Sequence, residues 1–147
     1  MDLPNSLRLL ANTNNDRGNL FTRLTRDLFF ALGYDDLRLD VAKSGREIDI
    51  QGQHRHEDRG IIGECKAHAR PIGGDDLNKF RGVLSIERDQ RDSPVNGYFV
   101  SLNGFRNSAR EQEDQASHSQ LTLLDATDII EELQRNRTAL YGQNVNH

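Results

Sequence analysis

The chain has 147 residues and a mean hydropathy of −0.76, enough for one domain with a modest core inside a heavily charged surface. It has no run of roughly 18 apolar residues, which excludes a membrane-spanning helix, and its lone cysteine, Cys65, excludes an internal disulfide and a cysteine-based zinc site and fits a reducing cytoplasm. The net charge of −4 argues against a nucleic-acid partner held by bulk charge, so any such contact has to come from a local basic patch.

Residues 1–15 read as a polar lead-in with a short apolar patch at Leu7, Leu9 and Leu10. This stretch lacks a basic segment followed by a long apolar one, so no signal peptide is expected. Asn15 or Asp16 can cap a helix over 18–32, whose apolar stripe is Leu20, Phe21, Leu24, Leu28, Ala31 and Leu32. Gly33 is suited to end it in the left-handed conformation. Alternation predicts strands over 37–42 and 46–52; residues 54–59 read as a turn and 60–67 as a third strand. Pro71, Gly73 and Gly74 break the pattern, and Asp75 can cap a helix to residue 88 with Leu77, Phe80, Val83 and Leu84 on one face. A loop over 88–96 leads to a strand at 97–102. A weakly striped helix over 105–117, a short strand at 121–124 and a helix over 126–134 follow, and the tail from 136 to 147 is polar. The order α-β-β-β-α-β-α-β-α implies an α/β protein: an antiparallel meander, then crossover units, giving a mixed sheet flanked by helices.

The stretch "GREIDIQGQHRHEDRGIIGECKAH" sets Asp49, Glu64 and Lys66 among residues that read as sheet core. Side chains alternate along a strand, so Glu64 and Lys66 share a face while Cys65 points away, and Glu47 shares a face with Asp49. A hairpin centred between His56 and Glu57 would set Asp49 opposite Glu64 and Glu47 opposite Lys66. Like charges so placed destabilise a sheet by roughly 0.2–1 kcal/mol on an exposed face, and by more when partly buried. A hard divalent cation removes that repulsion. Mg²⁺ suits the donor set because it takes one or two carboxylates and keeps waters for phosphate oxygens. An ammonium two residues from a carboxylate ligand can hold an attacking water and a scissile phosphate. The set therefore fits phosphodiester hydrolysis, and neither G-x-S-x-G nor H-E-x-x-H occurs. A solvated strand face carrying a Glu–Lys pair has the same pattern.

The same residues resemble the PD-(D/E)xK nuclease superfamily, and within it the Mrr-like restriction endonucleases, over residues 16–135. "GNLFTRLTRDLFFALGY" is similar to that family's first helix, "SGREIDI" to its metal-ligand strand, "GECKAH" to its E-x-K strand, and "GYFVSLNGFRNSAREQ" with "LTLLDATDIIEEL" to its closing portion. The resemblance implies a restriction-endonuclease-like mixed sheet. It implies that Asp49 and Glu64 hold Mg²⁺, or Mn²⁺ in its place, with the backbone carbonyl of Cys65 as a third ligand and Lys66 as the catalytic lysine. Many relatives carry a Glu after the aromatic residue of the first helix; here Thr22 follows Phe21, and Glu47 is the carboxylate able to compensate.

The function so implied is a metal-dependent DNA endonuclease, the cutting domain of a cytoplasmic restriction or antiphage-defence protein. Its partners would be DNA and either further copies of the chain or a tethered sensor or recognition module. The alternatives are a repair nuclease resembling Holliday-junction resolvases, a catalytically silent binding module, and RNA cleavage. Lys43, Arg46 and Lys79 are the candidates for phosphate contact. Arg81 is as fit for a surface role as for phosphate, and Arg106 and Arg110 read as surface. His54 and His56 read as a solvated turn, Cys65 as core behind the site, and Gln112 as a buried polar anchor.

Overall fold

A computed structural model describes residues 14–43, 46–115 and 121–136. The predicted patch at Leu7, Leu9 and Leu10, and the tail beyond 136, lie outside them. The elements are α1 (Asn14–Ala31), β1 (Tyr34–Lys43), β2 (Arg46–His54), β3 (Gly60–Lys66), α2 (Gly74–Arg91), β4 (Val95–Ser101), α3 (Asn107–Gln115), β5 (Leu121–Asp125) and α4 (Ala126–Arg135). The predicted order holds throughout.

Three boundaries differ for identifiable reasons. Helix α1 already includes Asn15 and Asp16, so neither residue caps it. At α2 the N-cap is Gly73, with no side-chain cap, and Asp75 lies in the first turn, where its charge suits the positive end of the helix dipole. Helix α3 starts at Asn107 because Phe105 is held in a bridge to Ile72, with the Arg106 amide donating to the Ile72 carbonyl at 2.9 Å.

The five strands lie in chain order, β1-β2-β3-β4-β5. β1, β2 and β3 pair antiparallel, whereas β3, β4 and β5 pair parallel. Short turns suffice for the first pairings, and the parallel ones need the crossovers that α2 and α3 supply. One core joins Phe21, Leu28 and Phe29 of α1 and Ile129 of α4 to Ile50, Ile61 and Val100. The other joins Leu77, Phe80 and Leu84 of α2 and Ala109 of α3 to Ile48, Ile62 and Phe99. The sheet is thus covered on both faces.

Two places in β1 depart from regular strand geometry. A register shift lies between Asp35 and Arg38, where Asp36 takes a φ of 54°. Asp40 takes a φ of 53°, and the residues on either side divide between the cores: Leu39 packs with its partner Ile50 into the first, Val41 with its partner Ile48 into the second. Residues two apart on a regular strand share a face. The β1–β2 ribbon therefore rolls over at Asp40 and Asp49.

Gly63, just before Glu64, lies under the ring of fully buried Phe29. A β-carbon there would stand 2.8 and 2.9 Å from two ring carbons. The ring is wedged between core residues and cannot withdraw cheaply. Gly63→Val is expected to destabilise by about 1–3 kcal/mol, read as a lower urea midpoint; an unchanged midpoint would show that the ring has room to move.

Candidate active site

β3 carries Glu64 and Lys66 on the face toward α2, with Lys66 Nζ 3.3 Å from Glu64 Oε1. Cys65 points to the other face and packs against the first core, where burial pushes its thiol pKa upward. Thr22, where the resemblance implied a Glu, donates its hydroxyl to the Gly18 carbonyl at 2.9 Å.

Asp49 reaches β3 in an unexpected way. The β2–β3 ladder has the predicted register, from Gln53↔Gly60 to Ile50↔Gly63, but it stops there. The expected pairs Asp49↔Glu64 and Glu47↔Lys66 do not form. The ribbon has rolled at this point, and Asp49 Oδ2 accepts the Cys65 amide at 2.8 Å. A side chain thus takes the β3 amide that continued pairing would have faced.

The electrostatics follow from this packing. Burial, then the charge of Asp49, raise the Glu64 carboxyl to about 7 against the smaller opposing pull of Lys66. Asp49 is raised as well, mainly by burial. The Cys65 amide and Lys66 oppose the rise, and the charges of Asp40 and Glu47 add to it. Two partly buried carboxyls that resist ionisation together form a site that a cation would relieve.

A cleft of about 270 Å³ opens beside them. Glu47, Glu64, Lys66, Arg46, Asp76 and Lys79 supply its polar lining. Asp49 does not line it; its carboxylate lies between β2 and β3, within electrostatic reach of Glu64. Among the described residues no three His, Cys, Asp or Glu side chains form a metal cage. Two carboxylates nonetheless meet the requirement of Mg²⁺, which retains most of its waters.

Asp76 was missed in the sequence. It lies three residues before Lys79 and seven before Val83, and that helical spacing on a cleft-facing stripe was available as a signal. Glu87 was missed too. It extends the buried stripe Leu77, Phe80, Leu84 by one turn and is fully buried. Lys43 Nζ donates to its two oxygens at 3.0 and 2.9 Å, Arg46 Nη2 to Oε1 at 2.8 Å, and Arg91 Nε to Oε2 at 2.9 Å. Lys43 and Arg46, expected to face phosphate, therefore direct their cations onto a buried carboxylate. Burial alone would raise Glu87, but the hydrogen bonds from Arg46 and Lys43 and the charge of Arg91 outweigh it and hold the carboxyl below its ordinary value.

The remaining candidates lie away from the cleft. Nδ1 of His54 accepts the amides of His56 and Glu57 at 3.1 and 3.0 Å, which is a turn-forming role. Arg81 pairs with Glu113, and Arg110 lies 3.6 Å from Asp125. Gln112 is half-buried and donates to Asn78 at 2.7 Å, joining α3 to α2.

A five-stranded mixed sheet with helices on both faces and an acid–lysine pair where β2 and β3 part is the restriction-endonuclease fold. The chain belongs to the Mrr catalytic-domain family of restriction endonucleases, whose family model matches residues 15–133. No curated protein matches it in sequence. In structure it is similar to the MspJI restriction endonuclease in complex with a 27-mer oligonucleotide, with a TM-score of 0.61, 14% identity, and coverage of 96% of this chain and 32% of that one. It is also similar to the DNA modification-dependent restriction endonuclease AspBHI, with a TM-score of 0.56, 19% identity and coverage of 81% and 31%. A repair endonuclease from Pyrococcus abyssi gives a TM-score of 0.56, 11% identity and coverage of 78% and 47%. The chain thus spans less than half the length of each of these three proteins. Among the described residues, no helix is long and apolar enough to cross a membrane.

Proposed function

We propose that the chain is the cutting module of a metal-dependent DNA endonuclease, with residues 16–135 as the module, acting in restriction or antiphage defence. The observation that carries this reading is the meeting of Asp49, Glu64 and Lys66 where β2 and β3 part, within a member of the Mrr family. Asp49 and Glu64 would hold Mg²⁺, with the Cys65 carbonyl as a further ligand and Glu47 as the additional carboxylate at the cleft. When bound, the cation supplies a water of lowered pKa and neutralises charge on the scissile phosphate. Lys66 extends from the same strand face as Glu64, so its ammonium is placed to hold the attacking water against the phosphate. Lys79, across the cleft on α2, is placed to hold a neighbouring phosphate. The Cys65 amide fixes Asp49 in orientation, so the carboxylate does not have to be ordered when metal arrives.

The test is plasmid DNA with the purified chain and Mg²⁺. Nicked and linear products that vanish with EDTA are expected. Intact plasmid across a range of Mg²⁺ and Mn²⁺ concentrations would sink the proposal.

Binding should be weak and indifferent to sequence, because the net charge is −4 and phosphate contacts carry no sequence information. Few contacts also predict a shallow salt dependence, since the slope is about −0.9 per neutralised phosphate. Double-strand cutting should therefore rise more than linearly with protein concentration as second copies engage the duplex. Site-specific cutting by a dilute monomer would place the recognition surface within this chain instead.

A further inference from the structure

We infer that Glu87 is a positioning residue for the carboxylates of β2: it fastens the end of the β1–β2 ribbon to α2 and so sets Glu47 and Asp49 relative to Glu64 and Lys66. The inference rests on the nuclease reading for its functional part.

The β2–β3 ladder ends at Ile50↔Gly63, so the segment 46–49 that carries both carboxylates has no backbone pairing with β3. Its backbone partners are in β1, through Val41↔Ile48, Ala42↔Glu47 and Lys43↔Arg46. That pairing ties the ribbon to itself, and past Ile50 the bond that reaches β3 is the one from the Cys65 amide to the Asp49 side chain. Lys43 and Arg46 are directly opposite each other at the ribbon's end, one on each strand, and both cations go to Glu87. Two like charges so paired would repel; a shared carboxylate turns the pair into a clamp.

The anchor itself is buried and held from several sides. Glu87 is fully buried, and Arg91 holds its second oxygen from one turn along the helix. Leu77, Phe80 and Leu84 fix the same helix in the core. Arg46 precedes Glu47 directly and Asp49 by three residues, so a shift at the clamp is transmitted along a few bonds to the candidate ligands. Sites of this kind hold their geometry to within about 0.5 Å only when neighbouring groups lock the supporting elements.

The test compares wild type with Glu87→Gln and with Arg46→Met, well below the melting temperature of each. Arg46→Met leaves Glu87 paired with Lys43 and Arg91, so it serves if Glu87→Gln fails to fold. Three quantities are read: amide exchange at residues 41–43 and 46–49 against β4, Mn²⁺ binding by calorimetry, and the Mg²⁺ dependence of plasmid cleavage. Exchange at the ribbon end should quicken with β4 unchanged. Mn²⁺ binding should weaken, and the half-saturating Mg²⁺ rise, by about 10–100-fold, with maximal rate falling less. A variant that melts lower yet matches wild type in ribbon exchange and Mn²⁺ affinity would overturn the inference and leave Glu87 an ordinary stabilising group. If wild type binds Mn²⁺ but cuts no DNA, the nuclease reading fails, and exchange with Mn²⁺ affinity still decides whether Glu87 sets the carboxylates.

Discussion

Glu64→Gln is expected to lower metal-dependent DNA cleavage by about 100-fold or more, and at the same time to make the metal-free protein more stable above neutral pH. The first effect follows from losing one of the carboxylates proposed to hold the cation. The second follows from the carboxyl's raised value of about 7. In the unfolded chain this group ionises near 4.5, so the stability it lends is full below that value and is lost as pH rises through 7. The difference corresponds to about 3 kcal/mol between pH 4.5 and 7. Asp49 is raised too and acts with the same sign, so the slope should shrink in the variant and not vanish. Urea midpoints at pH 5 and pH 8 in EDTA, for both proteins, measure this. An equal fall in the two proteins would show that Glu64 is not the group responsible.

Glu87→Ala should act in the opposite sense and on the fold itself. Removing one partner of a buried ion pair typically costs about 3–5 kcal/mol. Here the lower end is expected, because the side chains of Lys43, Arg46 and Arg91 are 29, 11 and 21% exposed and can recruit some water. The Glu87 carboxyl is held below its ordinary value, so its stabilisation is present above about pH 4.5 and is lost as pH falls through the folded value. With Glu64 working the other way from pH 4.5 upward, the metal-free wild type should be most stable near pH 4.5, where the gain from Glu87 is nearly complete and the loss from Glu64 begins. The Ala variant should lose the acid side of that maximum. An acid limb unchanged in the variant would mean that other carboxylates govern acid unfolding.

Hydrophobic period made the architecture readable. β1 and β2 alternate, the helices carry apolar stripes, and Gly33, at a φ of 107°, ends α1 as its position implied. The turn between β2 and β3 fixed their register through Ile50↔Gly63. What stayed hidden were features that depend on how separate segments meet. Glu87 falls on the buried stripe of α2, but a carboxylate there reads as solvent-facing until Lys43 and Arg46 arrive from β1 and β2. The left-handed backbone of Asp40 lies within an alternating pattern that gives no sign of a roll. Without the roll, Asp49 looks like a ladder residue facing Glu64, when its carboxylate instead takes the Cys65 amide. Asp76 required knowing which face of α2 overlooks β3.

The irregularities of β1 also bear on how copies of the chain can meet. Among the described residues β1 is an outer strand of the sheet, and its long free margin would otherwise invite another chain to dock as a further strand. Asp36 and Asp40 interrupt that margin with left-handed backbone at two points, and Asp36, Arg38 and Asp40 are exposed along it. A visiting strand would find its hydrogen-bonding rhythm broken and meet charge at alternate positions. Copies brought close together are therefore discouraged from fusing sheet to sheet through β1, and contact between two copies falls to other surfaces, the β5 edge among them.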